Sequence, residues 1–354
     1  MREAAQTPLD DLASSLFRRH PLYDKDIQAL DVIPCVDGYV HAQLACIVNE
    51  DSGQPGRILH STIMEHVKSR TEKLDIRGLR YNIRHWGPES APAVFFLHGW
   101  MDCSPTFQFV VDALKESWHV IAPDWRGYGE SECLRRPYWH PDYYADLHHL
   151  LAHYSPGKPV RLVGHSMGGN VAGIYAGVRP QRVSQLVMLD FLGLKPAIDD
   201  DSPTLIGSWL KNIDDKPSPS VFPNCEALAN RLMEENPRLS EARAEFLSWN
   251  VGRFRDDGLV ELACDPWHKI PAPAVYRIED TLACWKRITA PVLLLIAEHG
   301  LISRRFGNDA PEFKRRISGF RHLQTVHIPD SGHNLQHDQP ELAAAAIESF
   351  LSRD

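Results

Sequence analysis

The chain reads as an α/β protein with a mostly parallel central sheet flanked by helices. Short continuous apolar runs recur at 94–97, 120–122, 160–163, 186–189 and 292–296, as suits strands buried on both faces. Helical patterns lie among them, at about 105–116, 141–154, 169–178 and 340–352. Strand alternating with helix means βαβ units joined by right-handed crossovers. At 354 residues, the chain can hold one large domain with an inserted subdomain.

Taken in order, residues 1–71 form an N-terminal extension. Leu9, Leu12, Ala13 and Leu16 have helical spacing, and 32–48 contains Asp37-Gly38 between β-rich runs, a hairpin signal. The extension admits three readings: a dimerisation arm giving a homo-oligomer, a cover for the sheet edge, or a poorly ordered segment. Residues 74–83 alternate and turn at Gly78, as a hairpin would. The five apolar runs follow, with a last strand at 323–328.

The alternation breaks for about a hundred residues between Leu189 and Pro291. Residues 194–285 are richer in Pro and acidic residues, and hold Trp209, Trp249, Trp267 and Trp285, four of the nine tryptophans, with Phe222, Phe246 and Phe254. A structureless loop of that length is improbable in a compact domain, so this segment is expected to be an inserted, largely helical cap. The core is then 72–193 and 286–354.

Hydrophobic content of 43% and charged content of 24% are those of a soluble globular protein. A net charge of −8, with no long Lys/Arg cluster, argues against a nucleic-acid-binding surface. Seven scattered cysteines with no C-x-x-C spacing suit reduced thiols in a cytoplasmic protein. The first twenty residues lack the apolar core of a signal peptide, and Glu3, Asp10 and Asp11 count against a transit peptide. No apolar stretch approaches the ~20 residues needed to span a bilayer. His149 and His153 share a helix face beside His148, but without H-E-x-x-H or a third donor they read as helix surface. No metal and no cofactor are expected, since no dinucleotide or Walker loop follows a strand.

The chemistry centres on Gly164-His165-Ser166-Met167-Gly168, which follows the run 160–163 and precedes a helical segment. G-x-S-x-G between strand and helix marks a nucleophile elbow. Small neighbours permit the tight turn, and the helix N-terminus favours developing negative charge. A serine hydroxyl needs an adjacent base, itself oriented by a carboxylate. His333, in 329–334 just after the last strand, is the candidate base, because loops at the carboxyl ends of parallel strands carry the sites of such sheets. An oxyanion hole needs two backbone N–H donors aimed at one point. Met167, after the nucleophile, and Trp100, in His98-Gly99-Trp100, supply them, and the Trp100 side chain is expected to line the acyl pocket.

These segments, together with Asp124-Trp125-Arg126-Gly127-Tyr128-Gly129-Glu130-Ser131 and Gly332-His333, resemble the α/β-hydrolase superfamily over residues 72–354. Leu97-His98-Gly99-Trp100-Met101-Asp102, Met188-Leu189-Asp190 and Leu295-Ile296-Ala297-Glu298-His299-Gly300 are similar to its serine hydrolase-like, Kraken-type branch. The resemblance implies that 124–131 is a structural turn without catalytic residues. It also implies an acid about nine residues after the proline that leads the strand at 292–296, and Gly300 stands there. Asp190, at the end of the strand 186–189, is the preferred acid, as in branches that carry their acid at that strand end. Glu298 reads as a solvated loop carboxylate, and Asp330 is too close to His333 in sequence to be chosen.

A serine at position 166 points to acyl-enzyme chemistry on a small, apolar carboxylic ester, thioester or lactone, through Ser166, His333 and Asp190. The alternatives are a C–C bond hydrolase of a diketone-type substrate, and a ligand-binding protein with a vestigial triad. Gly300 at the usual acid position is the feature that keeps the last open.

Overall fold

The computed structural model describes residues 66–194, 202–270, 273–274, 276–307 and 310–353. The chain divides into Met1–Glu65 and His66–Asp354, and the second unit is described below. The helix and hairpin expected within 1–65 lie outside the described residues.

An eight-stranded sheet forms the frame: β1 (Ser69–Ile76), β2 (Leu79–Trp86), β3 (Ala93–Leu97), β4 (His119–Pro123), β5 (Val160–His165), β6 (Val183–Leu189), β10 (Val292–Ala297) and β11 (Leu323–Ile328). Their order is β1-β2-β4-β3-β5-β6-β10-β11. Pairings from β4 to β11 are parallel, and β2 runs antiparallel to both its neighbours. The expected hairpin is β1–β2. It is longer than the alternation suggested, and β1 begins at Ser69, before the boundary expected at 71.

Neighbouring side chains on a strand point to opposite faces, and the apolar runs therefore serve two cores. Phe95 and Leu97 join Trp125, Leu162, Leu186 and Leu294 on one face. Val94 and Phe96 join Phe107, Val163, Val187 and Leu293 on the other. The first face is covered by α2 (Pro141–Tyr154), α3 (Met167–Val178) and α7 (Ile278–Trp285), and the second by α1 (Gln108–Ala113) and α11 (Pro340–Leu351). The helix expected at 105–116 is a 3₁₀ turn, Ser104–Phe107, leading into the shorter α1.

Between β6 and β10 the chain forms α4 (Ser202–Asp215), α5 (Cys225–Glu235), α6 (Glu241–Val251) and a small antiparallel sheet of β7 (Val221–Phe222), β8 (Gly252–Phe254) and β9 (Val260–Leu262). Strands of two and three residues are too short to leave a period in the sequence, so the sheet was not foreseen. Ile278, Leu282 and Trp285 are buried in the core beneath the main sheet, so α7 belongs with the core. Two short helices follow β10, α8 (Leu301–Phe306) and α9 (Pro311–Ile317), and the one-turn α10 (Leu335–Asp338) follows β11. Among the described residues, no helix is long and apolar enough to cross a membrane.

Candidate active site

The order in which strands are added to the sheet reverses at β3, since β4 lies on one side of it and β5 on the other. Crevices beyond the carboxyl ends of such strands are where open α/β sheets bind ligands. Ser166 stands at that point, between β5 and α3, with φ 50° and ψ −113°. An L residue holds such a backbone only under constraint from its surroundings. The constraint is close packing: a β-carbon on Gly168 would lie 2.0 Å from Leu97 O, and one on Gly164 would lie 2.5 Å from Gly168 O. Only glycines let α3 start this close to the strand ends.

Three side chains predicted from the sequence meet in one hydrogen-bonded chain. The Ser166 hydroxyl lies 2.9 Å from His333 Nε2, and His333 Nδ1 lies 2.8 Å from Asp190 Oδ2. With Nδ1–H donating to the carboxylate, Nε2 is left to accept the serine proton. Asp190 directly follows β6, is fully buried, and takes a positive φ of 45°. A buried carboxylate requires donors. Besides His333, they are the Leu301 N–H at 2.5 Å, with the Ala297 and Ile302 N–H groups at 3.4 and 3.5 Å.

His333 is carried by a loop held from several sides. Glu298 accepts the Asp330 N–H at 2.7 Å, Asp338 accepts the Gly332 N–H at 2.7 Å, and the His299 N–H donates to Ser331 O at 2.8 Å. His165 lies 2.9 Å, through Nε2, from the carbonyl of His333 itself. Glu298 is exposed and braces the loop from outside the serine–histidine–carboxylate chain. Asp330 is also outside that chain, paired with Arg238 at 3.2 Å.

The His98-Gly99-Trp100 segment lies beside the elbow: a β-carbon on Gly99 would be 3.3 Å from Ser166 Cβ and 2.8 Å from His165 Nδ1. His98 ties this segment down. Its Nε2 accepts the Trp125 N–H at 2.9 Å, its Nδ1 lies 2.8 Å from Gly99 O, and its own carbonyl accepts the Trp125 indole N–H at 3.1 Å. Burial pushes the His98 imidazole down to about 4, so it is neutral at physiological pH. Met167 opens α3, where N–H groups have no partner within the helix. The segments carrying the Trp100 and Met167 amides are thus adjacent. The Trp100 indole differs from expectation: it is 55% exposed and not enclosed, and Met101, at φ 62°, turns the chain directly after it.

The turn at 124–131 uses its side chains internally. Asp124 accepts the N–H groups of Ser104 and Glu130 and the amide of Asn82, while Ser131 Oγ donates to Asp124 O. Arg126 is buried against Asp146, with contacts of 2.5 and 2.7 Å. Among the described residues, no group of three or more His, Cys, Asp or Glu is arranged to hold a metal ion. His148, His149 and His153 are exposed on α2.

Sequence reasoning missed the polar cluster behind the site. Gln336 Nε2 lies 3.4 Å from His165 Nδ1 and 3.5 Å from Thr106 Oγ1, and Thr106 Oγ1 lies 2.5 Å from His337 Nε2. His165 occupies a variable position of G-x-S-x-G, and no spacing rule links it to Thr106, Gln336 or His337.

Comparison with known proteins agrees with this architecture. A family model for the alpha/beta hydrolase fold matches residues 92–340. A serine hydrolase-like protein of Danio rerio is 30% identical over 278 residues, 75% of this chain and 83% of the relative. The 2-(acetamidomethylene)succinate hydrolase of Mesorhizobium japonicum is 25% identical over 81% of this chain and 96% of its own. Among solved structures, a thioesterase domain from the curacin biosynthetic pathway superposes with a TM-score of 0.68 at 24% identity, over 79% of this chain and 99% of that one. The chain belongs to the alpha/beta hydrolase fold family, in its serine hydrolase-like branch.

Proposed function

We propose that this hydrolase is a serine esterase in the broad sense, cleaving a small, predominantly apolar carboxylic ester, thioester or lactone through an acyl-enzyme. Ser166 Oγ attacks the carbonyl carbon while His333 Nε2 takes its proton, and the oxyanion is held by the Trp100 and Met167 N–H groups. His333 then protonates the leaving group. A water deprotonated by His333 attacks the acyl-enzyme, releasing the acid and restoring Ser166. Asp190 keeps His333 in the productive tautomer and stabilises the imidazolium.

The observation that carries this reading is the unbroken chain from Ser166 through His333 to Asp190, at 2.9 and 2.8 Å. The names of the thioesterase and the hydrolase among its similar proteins point the same way. The vestigial-site reading leans on Gly300, and the contact between Asp190 and His333 supports the triad reading over it. We assign the cap to about 195–275, shortened because α7 packs in the core. Its aromatic content, with Trp209, Trp249, Phe222, Phe246 and Phe254, supports an apolar substrate. Cys103, Cys133, Cys225, Cys264 and Cys284 are free thiols, which supports a reducing, cytoplasmic location.

The test is hydrolysis of p-nitrophenyl esters from acetate to octanoate by the full chain and by Ser166→Ala. Activity lost in the variant supports the reading, and the chain-length optimum sizes the pocket. Cleavage of a diketone with no ester turnover in the wild type moves the assignment to C–C hydrolysis. No turnover of either, with ligand binding retained, moves it to a binding protein.

A further inference from the structure

The serine–histidine–carboxylate chain does not by itself explain what keeps His333 within reach of Ser166, since the two residues lie on different segments of the chain. The relevant contact is made by the residue next to the nucleophile. His165 Nε2 is 2.9 Å from the carbonyl oxygen of His333, and the two imidazole rings are 4.8 Å apart, tilted by 45°. A carbonyl only accepts, so His165 Nε2 carries the proton and its Nδ1 is an acceptor. Gln336 Nε2, 3.4 Å away, is the donor facing that Nδ1. Gln336 is itself buried, beside the Thr106–His337 pair. The third neighbour is the loop at 98–100, since a β-carbon on Gly99 would come within 2.8 Å of His165 Nδ1. One buried imidazole therefore touches the nucleophile strand, the histidine loop and the segment carrying the Trp100 amide.

We propose that His165 is a positioning residue for His333, acting as a neutral clamp that holds the histidine's backbone from the same two-residue segment that carries Ser166. This rests on the Ser166–His333–Asp190 reading above and deepens it. With residues 165 and 166 both joined to residue 333, the serine–histidine separation is set at two points and cannot open by loop drift alone. The clamp must also be uncharged, because His333 becomes an imidazolium during turnover and a second cation about 5 Å away would oppose it. Burial holds the His165 imidazole well below its usual range, with the neighbouring His333 adding to the effect.

The test compares the full-length wild type with His165→Ala, His165→Gln, Gln336→Leu and Ser166→Ala. The readouts are kcat and KM on p-nitrophenyl butyrate, the pH profile of kcat, and the rate of labelling by a fluorophosphonate. A displacement near 1 Å costs about 10²-fold in rate, so His165→Ala should lower kcat and the labelling rate by about that factor, with KM changed less than about threefold. His165→Gln keeps an N–H donor and should recover at least about tenfold of the loss, which a space-filling role would not require. Gln336→Leu should lower kcat by a smaller factor with KM held, and it carries the test if His165→Ala does not fold. Wild type labelled at Ser166, with His165→Ala or Gln336→Leu equal to it in kcat and pH profile, overturns the inference alone. So does a His165→Gln variant no better than His165→Ala. A wild type that neither labels nor turns over ester overturns the functional reading, and the inference with it.

Discussion

Gly300 and Asp190 exclude each other's side chains: a β-carbon at position 300 would lie 2.3 Å from Asp190 Oδ2 and 2.6 Å from its Cγ. The position after β10 where most of the superfamily carries its acid is a glycine here because the carboxylate arrives from β6 and occupies that space. The same turn then donates the Leu301 and Ile302 N–H groups to Asp190. Gly300 has φ −81°, which any residue adopts, so its requirement is space and not backbone freedom.

Gly300→Ala should therefore damage the acid without touching Ser166 or His333. A methyl group at this site pushes Asp190 away from His333 Nδ1. Misplacement on the scale of 1 Å lowers kcat by about 10²-fold. Steady-state kinetics on a p-nitrophenyl ester check this. An unchanged kcat would mean that the turn yields instead of the carboxylate.

Asp190→Asn should lower turnover by roughly 10⁴-fold, as expected when the histidine takes the wrong tautomer. Glu298→Gln should lower it by less than about tenfold, because Glu298 only accepts the Asp330 N–H and the amide oxygen can do the same. Equal effects of the two substitutions on kcat/KM would remove Asp190 from the mechanism.

Asp146 is a stability site away from the reacting groups. Its carboxylate is buried and shared by Arg126, Arg77 and Tyr81. Removing one partner of a buried ion pair strands the other, at a cost of about 3–5 kcal/mol. Asp146→Ala should lower the urea midpoint accordingly while kcat per folded molecule stays near wild type. A loss of kcat without a loss of stability would contradict this account.

Acid should destabilise the protein well above the carboxylate range. Burial pushes His98 and His140 down to about 4, and His268 and His337 down to about 3. Between those values and about 6.5, the unfolded chain binds protons that the folded protein does not, so stability falls as pH falls. Each group contributes of order 1 kcal/mol per pH unit in that window. Asp102, pushed up to about 7 by burial, works in the opposite direction, its contribution being lost as pH rises. One group against four leaves the histidines dominant. The urea midpoint should drop between about pH 7 and about pH 5, and a flat or rising profile would refute the assignment.

Deleting residues 1–65 should leave a soluble domain with one cooperative unfolding transition, because the chain divides between Glu65 and His66 and β1 begins at Ser69. A molten or insoluble product would assign the extension to the core or to an obligate homo-oligomer. Sedimentation of the full chain and the truncated form separates those two cases.

Sequence alone determined the parallel sheet, the elbow at Ser166 and the histidine loop, because each is written in adjacent residues. Continuous apolar runs demand burial on both faces, and G-x-S-x-G between strand and helix leaves one geometry for the turn. Preference for Asp190 over Glu298 rests on its shorter side chain and the rigid strand end that carries it, beside the resemblance. What seats Asp190 is the space left at Gly300 and the Leu301 N–H beside it, just beyond two strands that pair only in the folded sheet. Tertiary structure alone decided the placement of α7 in the core, the small sheet of β7 to β9, and the cluster of His165, Gln336, Thr106 and His337. Strands of two or three residues carry no period, and a hydrogen bond between side chains 171 residues apart has no local signature. The polar contacts that brace His333 are set by how β5, β6, β10 and β11, neighbours in the sheet, end along one edge, and only the assembled sheet creates that arrangement.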